Sequence, residues 1–150
     1  MITMNNAQNF TLQLSNTYPV PTERVFNAWT KPEELEKWWG PAGFKTKIVE
    51  MNVEVDGKYK FNMHSPDGQV HIIAGQYLEI VKNEKLVFTW KWENGDDEFP
   101  NTVVTVDFIN KNESTELVIT HKDLPSEAEA NNHSHGWTSF LHEGLKSYLA

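Results

Sequence analysis

Gly136-Trp137-Thr138-Ser139-Phe140-Leu141-His142-Glu143-Gly144-Leu145-Lys146-Ser147-Tyr148-Leu149 is the stretch on which the fold turns. Trp137, Phe140, Leu141, Leu145, Tyr148 and Leu149 recur at i, i+3, i+4, i+8, i+11 and i+12. That spacing draws one apolar stripe along a helix of about four turns. Asn131 or Asn132 reads as its N-cap, with residues 125–130 as an irregular lead-in or a first helical turn. Everything between residues 44 and 121 has the other period. Tyr59, Phe61 and Met63 alternate with lysines and Asn62; Leu86, Phe88, Trp90 and Trp92 share a face; so do Val104, Val106 and Phe108, and then Leu117, Ile119 and His121. Short turns join these runs, so neighbouring strands pair antiparallel in a meander. One such sheet exposes an apolar face, and the last helix is the element long enough to cover it.

Ahead of the meander, Phe10, Leu12 and Leu14 alternate in a first strand ended by Pro19 and Pro21. Val25, Phe26 and Trp29 then mark a short helix capped near Thr22. Thr30 and Glu33 have capping-box spacing, with Pro32 in the first turn of a second helix. Its apolar edge is Leu35, Trp38 and Trp39, and Gly40-Pro41 ends it. At Ser65-Pro66-Asp67-Gly68, a two-residue turn centred on Pro66 and Asp67 pairs Met63 with Val70 and Phe61 with Ile72. The inward row of the next strand is then Val70, Ile72, Ala74, Gln76, Leu78 and Ile80, unless Gly75 hosts a bulge.

The expected architecture is α+β: a curved antiparallel sheet of six to seven strands wrapped round a long C-terminal helix, with two short helices after the first strand. Residues 1–150 read as one domain with its core over about 10–149. A curved sheet and one helix do not touch along their whole length, so a cavity between them is expected, closed at its mouth by the early helices.

Composition narrows the chemistry. No cysteine is present, which excludes disulfides, thiolate catalysis and Cys-ligated zinc. A net charge of −8 without a basic cluster argues against nucleic acid. Residues 1–9 lack the pattern of a signal peptide, and no apolar run approaches a membrane span, so a cytoplasmic location without membrane association is the expectation. Gly-x-Ser-x-Gly and phosphate-binding glycine loops are absent. No cofactor is implied and no residue is assigned as catalytic.

Several motifs taken together carry a family resemblance. They are Pro32-Glu33-Glu34-Leu35 leading to Trp38-Trp39-Gly40-Pro41, the Gly75…Glu79-Ile80 strand followed by Leu86-Val87-Phe88-Thr89-Trp90, and Gly136-Trp137 opening the last helix. Over residues 10–149 the chain resembles the bacterial branch of the heat-shock-protein-90 ATPase-activator-homologue family, in the START-like (SRPBCC, Bet v 1-like) superfamily. The resemblance implies a helix-grip fold with a hydrophobic cavity between sheet and C-terminal helix. It does not imply one activity, because the superfamily spans lipid and hormone binders, polyketide cyclases and co-chaperone domains.

Six tryptophans, at 29, 38, 39, 90, 92 and 137, either fill the core or wall a cavity. As a ligand site we take Trp38, Phe61, Met63, Gln76, Phe88, Trp90, His121, Trp137 and Leu141, with Trp38 and Trp39 at the rim. Plain core packing is the competing reading for each ring. His121 points inward and is either a ligand-orienting group or a base, or a neutral imidazole satisfied by its neighbours. His64 and His71 read as surface residues. His133 and His135 face different sides of a helix, and His135 and His142 lie about 10.5 Å apart along it, so no metal site is expected. Asp96-Asp97-Glu98 reads as a solvated acidic loop. The leading functional expectation is binding of a small hydrophobic molecule, planar aromatic or lipid-like. A cyclase or hydratase using His121 beside a second polar group is one alternative, and a chaperone-interaction module is another.

Overall fold

The computed structural model describes residues 2–4, 9–40, 43–93 and 101–149. Among the described residues eight strands run in chain order as β1 (Ile2–Met4), β2 (Phe10–Tyr18), β3 (Lys45–Met51), β4 (Lys58–His64), β5 (Val70–Val81), β6 (Lys85–Trp92), β7 (Thr102–Asn110) and β8 (Thr115–Leu124). They form one sheet in the order β1-β2-β8-β7-β6-β5-β4-β3, antiparallel throughout. Two short helices, α1 (Thr22–Thr30) and α2 (Pro32–Trp38), follow β2. The last helix, α3, begins as Glu127–Ser139, widens through a π-helical segment Phe140–Leu145 and closes as Lys146–Leu149. The expected helix-grip architecture is therefore present, with the three-residue β1 added at one edge.

Register shifts bend the sheet at Phe10/Leu12, Ile48/Glu50 and Tyr77/Glu79, where an extra residue on one strand forces a local kink. On the concave side Leu12, Tyr59, Phe61, Met63, Ile73, Leu86, Phe88, Trp90, Val104, Val106, Leu117 and Ile119 are all buried. Facing them, α1 contributes Val25, Phe26 and Trp29. Phe26 meets Phe108 of β7 edge-on at 5.2 Å.

One expected register is overturned. The Gly68 amide does close a turn onto the Ser65 carbonyl, with Pro66 and Asp67 at its centre. Gly68 then adopts φ +89°, a left-handed residue that lengthens the loop to three before Ser65 pairs with Gln69. His64 therefore faces Val70, Met63 faces His71 and Phe61 faces Ile73. A one-residue slip exchanges the two faces of a strand. The inward row is His71, Ile73, Gly75 and Tyr77, and Gln76 points away, its amide donating to the Asp56 carbonyl. The bulge falls at Leu78 rather than Gly75, which leaves Leu78 exposed and returns Ile80 to the core side.

Helix boundaries also differ from expectation. Ser126, not Asn131 or Asn132, caps α3, its hydroxyl accepting from the Glu129 amide at 3.1 Å. Thr30 forms no capping box; its hydroxyl turns back to the Phe26 carbonyl, and Lys31 precedes Pro32 as the N-cap of α2. In the π segment the Leu141 carbonyl accepts from the Tyr18 hydroxyl at 2.8 Å, which ties α3 to β2. Gly144 lies so close to the end of α2 that a Cβ there would stand 2.5 Å from the Trp38 carbonyl oxygen. Arg24 bridges to Glu34 at 2.6 Å, and the Tyr148 hydroxyl donates to the same carboxylate, so α1, α2 and the end of α3 are linked.

Candidate functional site

The two halves of α3 meet the sheet differently. Leu141, Leu145 and Leu149 pack down as core. Over β4–β6 the first half stands off, and a cleft of about 580 Å³ opens beneath it. Its helical wall is Glu129, Asn132, His133, Gly136, Trp137 and Phe140, spaced i, i+3, i+4, i+7, i+8 and i+11 along one face. Its floor is Met63, His71, Trp90 and Trp92, with Phe44 at the side.

Of the expected ligand residues, Met63, Trp90 and Trp137 line this cleft. Phe61 and Phe88 instead close around a gap of about 10 Å³ with Trp29, Trp39 and Tyr77, which is packed core. Trp38 is buried, its indole donating to the Ala28 carbonyl at 2.9 Å. It is not among the residues that line this cleft. Trp39 is buried as well and backs the cleft, with ring centroids 5.9 Å from Trp90, 5.9 Å from Trp137 and 5.1 Å from Phe140. Leu141 lies in the core and Gln76 on the far side of the sheet.

His121 points inward as expected, yet it stands behind the cleft wall. Its surroundings fix its tautomer. The Thr102 hydroxyl gives its proton to the Trp90 carbonyl at 2.9 Å, so the 2.7 Å contact from His121 Nε2 must be donated by the imidazole. The remaining lone pair, on Nδ1, accepts from Trp137 Nε1 at 3.1 Å. Burial, with the neighbouring His133 second, holds its pKa well below the usual histidine value. The ring's one lone pair, on Nδ1, is turned toward the Trp137 indole, and His121 is not among the residues that line the cleft. His121 is a strut that orients the indole of Trp137.

His133 repeats the device one layer out. Trp92 Nε1 donates to its Nε2 at 3.0 Å, and its Nδ1–H donates to the Glu129 carbonyl at 2.8 Å. Desolvation lowers its pKa, and the two Glu129 contacts oppose this without reversing it. The two imidazoles lie 5.1 Å apart, edge to face, and both are neutral. Two neutral histidines thus position two of the three tryptophans that wall the cleft.

The expected site lacks Phe44, His71, Trp92, Glu129, Asn132, His133, Gly136 and Phe140, all of which line the cleft. The two-residue turn would put His71 on the surface; in the observed register it is half-buried, 5.8 Å from the Phe44 ring. The residues on α3 carried a usable signal, the i, i+3, i+4, i+7 stripe from Glu129, hidden because it begins polar and lies before the expected cap. His64, His135 and His142 are exposed. No group of three metal-ligating side chains occurs among the described residues. Asp96-Asp97-Glu98 lies outside the described residues. Among the described residues no helix is long and apolar enough to cross a membrane.

The sequence profile of the family described as "Activator of Hsp90 ATPase homolog 1-like protein" matches residues 19–150. The chain belongs to this family. The human activator of 90 kDa heat shock protein ATPase homolog 1 is 26% identical over 135 residues, 90% of this chain and 36% of its own length. The chain thus spans about a third of the curated relatives it matches. Among solved structures, a Chromobacterium violaceum protein is 29% identical with a TM-score of 0.84, covering 93% of this chain and 96% of its own. The Silicibacter pomeroyi AHSA1 protein is 24% identical with a TM-score of 0.82, over 93% and 96%. The second likeness shows the fold alone. In this family member the helix-grip fold holds the aromatic cleft between α3 and β4–β6.

Proposed function

We propose that this member of the Hsp90 ATPase-activator-homologue family binds a small molecule with a flat, hydrophobic body in the cleft under the first half of α3. The observation that carries the reading is the cleft itself. Its volume of about 580 Å³ falls in the range of small-molecule sites, roughly 300–1,000 Å³, and its walls are aromatic with a few polar groups at the edge. Gly136 supports it. No left-handed backbone requires glycine there, and a Cβ at Gly136 would meet nothing within 4 Å. Glycine within a helix costs about 1 kcal/mol relative to alanine. The small residue leaves open the space that a ligand would take.

The test is titration of intrinsic fluorescence with a panel of planar aromatic and lipid-like compounds, since Trp90, Trp92 and Trp137 line the cleft. Saturable quenching is expected, and Gly136→Leu, which puts a side chain into the open space, should abolish it while leaving far-UV circular dichroism unchanged. Quenching that never saturates, or that survives Gly136→Leu intact, would count against the reading.

The relatives support a second reading. The human and mouse proteins matched over 80–90% of this chain are named as activators of a 90 kDa heat shock protein ATPase. On that reading this chain contacts an Hsp90-type chaperone, and apolar side chains such as Val49 and Val55, each more than half exposed, are available outside the cleft. A changed ATPase rate of a bacterial Hsp90 on adding the protein is the expected result; an unchanged rate and no co-purification would remove it.

A further inference from the structure

Among the described residues that line the cleft, Glu129 is the one acidic side chain, and the sign of its charge has a consequence for the ligand. Glu129 is one of the residues lining the wall, with its side chain 37% exposed, and no lysine or arginine lines the cleft among the described residues. His133 cannot serve as a counter-cation. Both of its nitrogens are engaged, and its neutral form is favoured by burial. Its Nδ1 stands 3.8 Å from Glu129 Oε2. Lys60 is committed elsewhere, to Glu93 at 2.8 Å. The rest of the lining is His71, Asn132, Met63 and Gly136 together with aromatic rings. Trp90 lies 5.0 Å from Trp137 and 5.5 Å from Trp92, and indole faces attract cations through their quadrupole. The net charge of −8 acts in the same sense at longer range.

We propose that the ligand is an organic cation: a flat aromatic body carrying a quaternary or protonated nitrogen, with the positive centre beside Glu129 and the rings against Trp90, Trp92 and Trp137. The assignment rests on the small-molecule reading above and narrows it. A fatty acid or other anionic amphiphile would bring its carboxylate toward Glu129 with no compensating cation. A neutral hydrocarbon would use the aromatic walls alone.

Three probes of near-equal shape separate these classes: 1-methylquinolinium, its uncharged isostere 1-methylnaphthalene, and 1-naphthoate. Each is titrated by tryptophan fluorescence at about 0.15 M salt, where charges beyond a Debye length of about 8 Å are screened. The cation should bind on the order of ten-fold more tightly than the isostere, and the anion most weakly. Glu129→Gln should reduce the cation's advantage to about two-fold while leaving 1-methylnaphthalene unchanged. Glu127→Gln, which removes the same charge from an exposed residue outside the cleft, should preserve the advantage. Equal or tighter binding of 1-naphthoate, or a cation preference that survives Glu129→Gln, overturns the assignment. If 1-methylnaphthalene binds with no preference for the cation, this assignment fails and the small-molecule reading stands. If none of the three binds, both fail.

Discussion

Gly136 and Gly144 lie two turns apart on one helix, and their side-chain-less positions have opposite causes. At Gly144 a Cβ would stand 2.5 Å from the Trp38 carbonyl, so the close approach of α2 requires glycine. At Gly136 nothing approaches within 4 Å. Gly136→Ala should therefore stabilise the protein by about 0.5–1 kcal/mol, chiefly by restricting the unfolded chain. A higher urea midpoint with an unchanged m-value is the expected result. A loss of stability would mean that the helix at Gly136 needs a conformation alanine resists. The same scale explains why His121 could be placed but not interpreted. Strand parity fixed its direction. Its role depends on the Thr102 hydroxyl and the Trp137 indole, which come from β7 and α3 and have no fixed sequence distance from β8.

Between elements, the β4–β5 hairpin decided which residues reach the cleft. The turn chemistry was legible, since Pro66 and Asp67 do occupy the centre of a hydrogen-bonded turn. The additional left-handed residue was not, because glycine is acceptable both as the last residue of such a turn and as the first of a bulge. That ambiguity sent Gln76 into the expected site and kept His71 out of it. The long helix shows a similar divide. Its apolar stripe from Trp137 onward was plain, whereas Glu129, Asn132 and Gly136 line the cleft without being apolar. Gly68 itself is a clean test of the hairpin geometry. Its φ is +89° and a Cβ would touch nothing, so substitution acts on the backbone alone. Gly68→Ala should cost about 1–2 kcal/mol, the penalty for a left-handed L-residue. Denaturant unfolding measures it, and a neutral result would mean the loop relaxes to a different turn without moving β5.

Across the whole molecule, the curved sheet and α3 meet at one end and part at the other. α2 and the π segment close the first end, where Trp38, Gly144 and Leu141 lie. At the open end, the aromatic walls are held by a lattice in which Trp137 donates to His121 and Trp92 donates to His133. Both imidazoles must be neutral to accept those bonds. Unfolding returns each ring to water, where a histidine pKa is about 6.5, while the folded protein holds both below that value, principally by burial. Below about pH 6.5 the unfolded chain therefore binds more protons than the native one. The stabilisation is fully present above that pH and declines as the pH falls toward the folded values, by at most about 1.4 kcal/mol per pH unit for each ring. The melting temperature should drop between pH 7.5 and pH 5.5, a window above ordinary carboxylate titration. His121→Asn and His133→Asn should each flatten that dependence, by at most one proton, whatever they do to stability at pH 7.5. A melting temperature that stays level across the window would mean that the lattice accepts a charged imidazole, and the tautomers assigned to it would have to be abandoned.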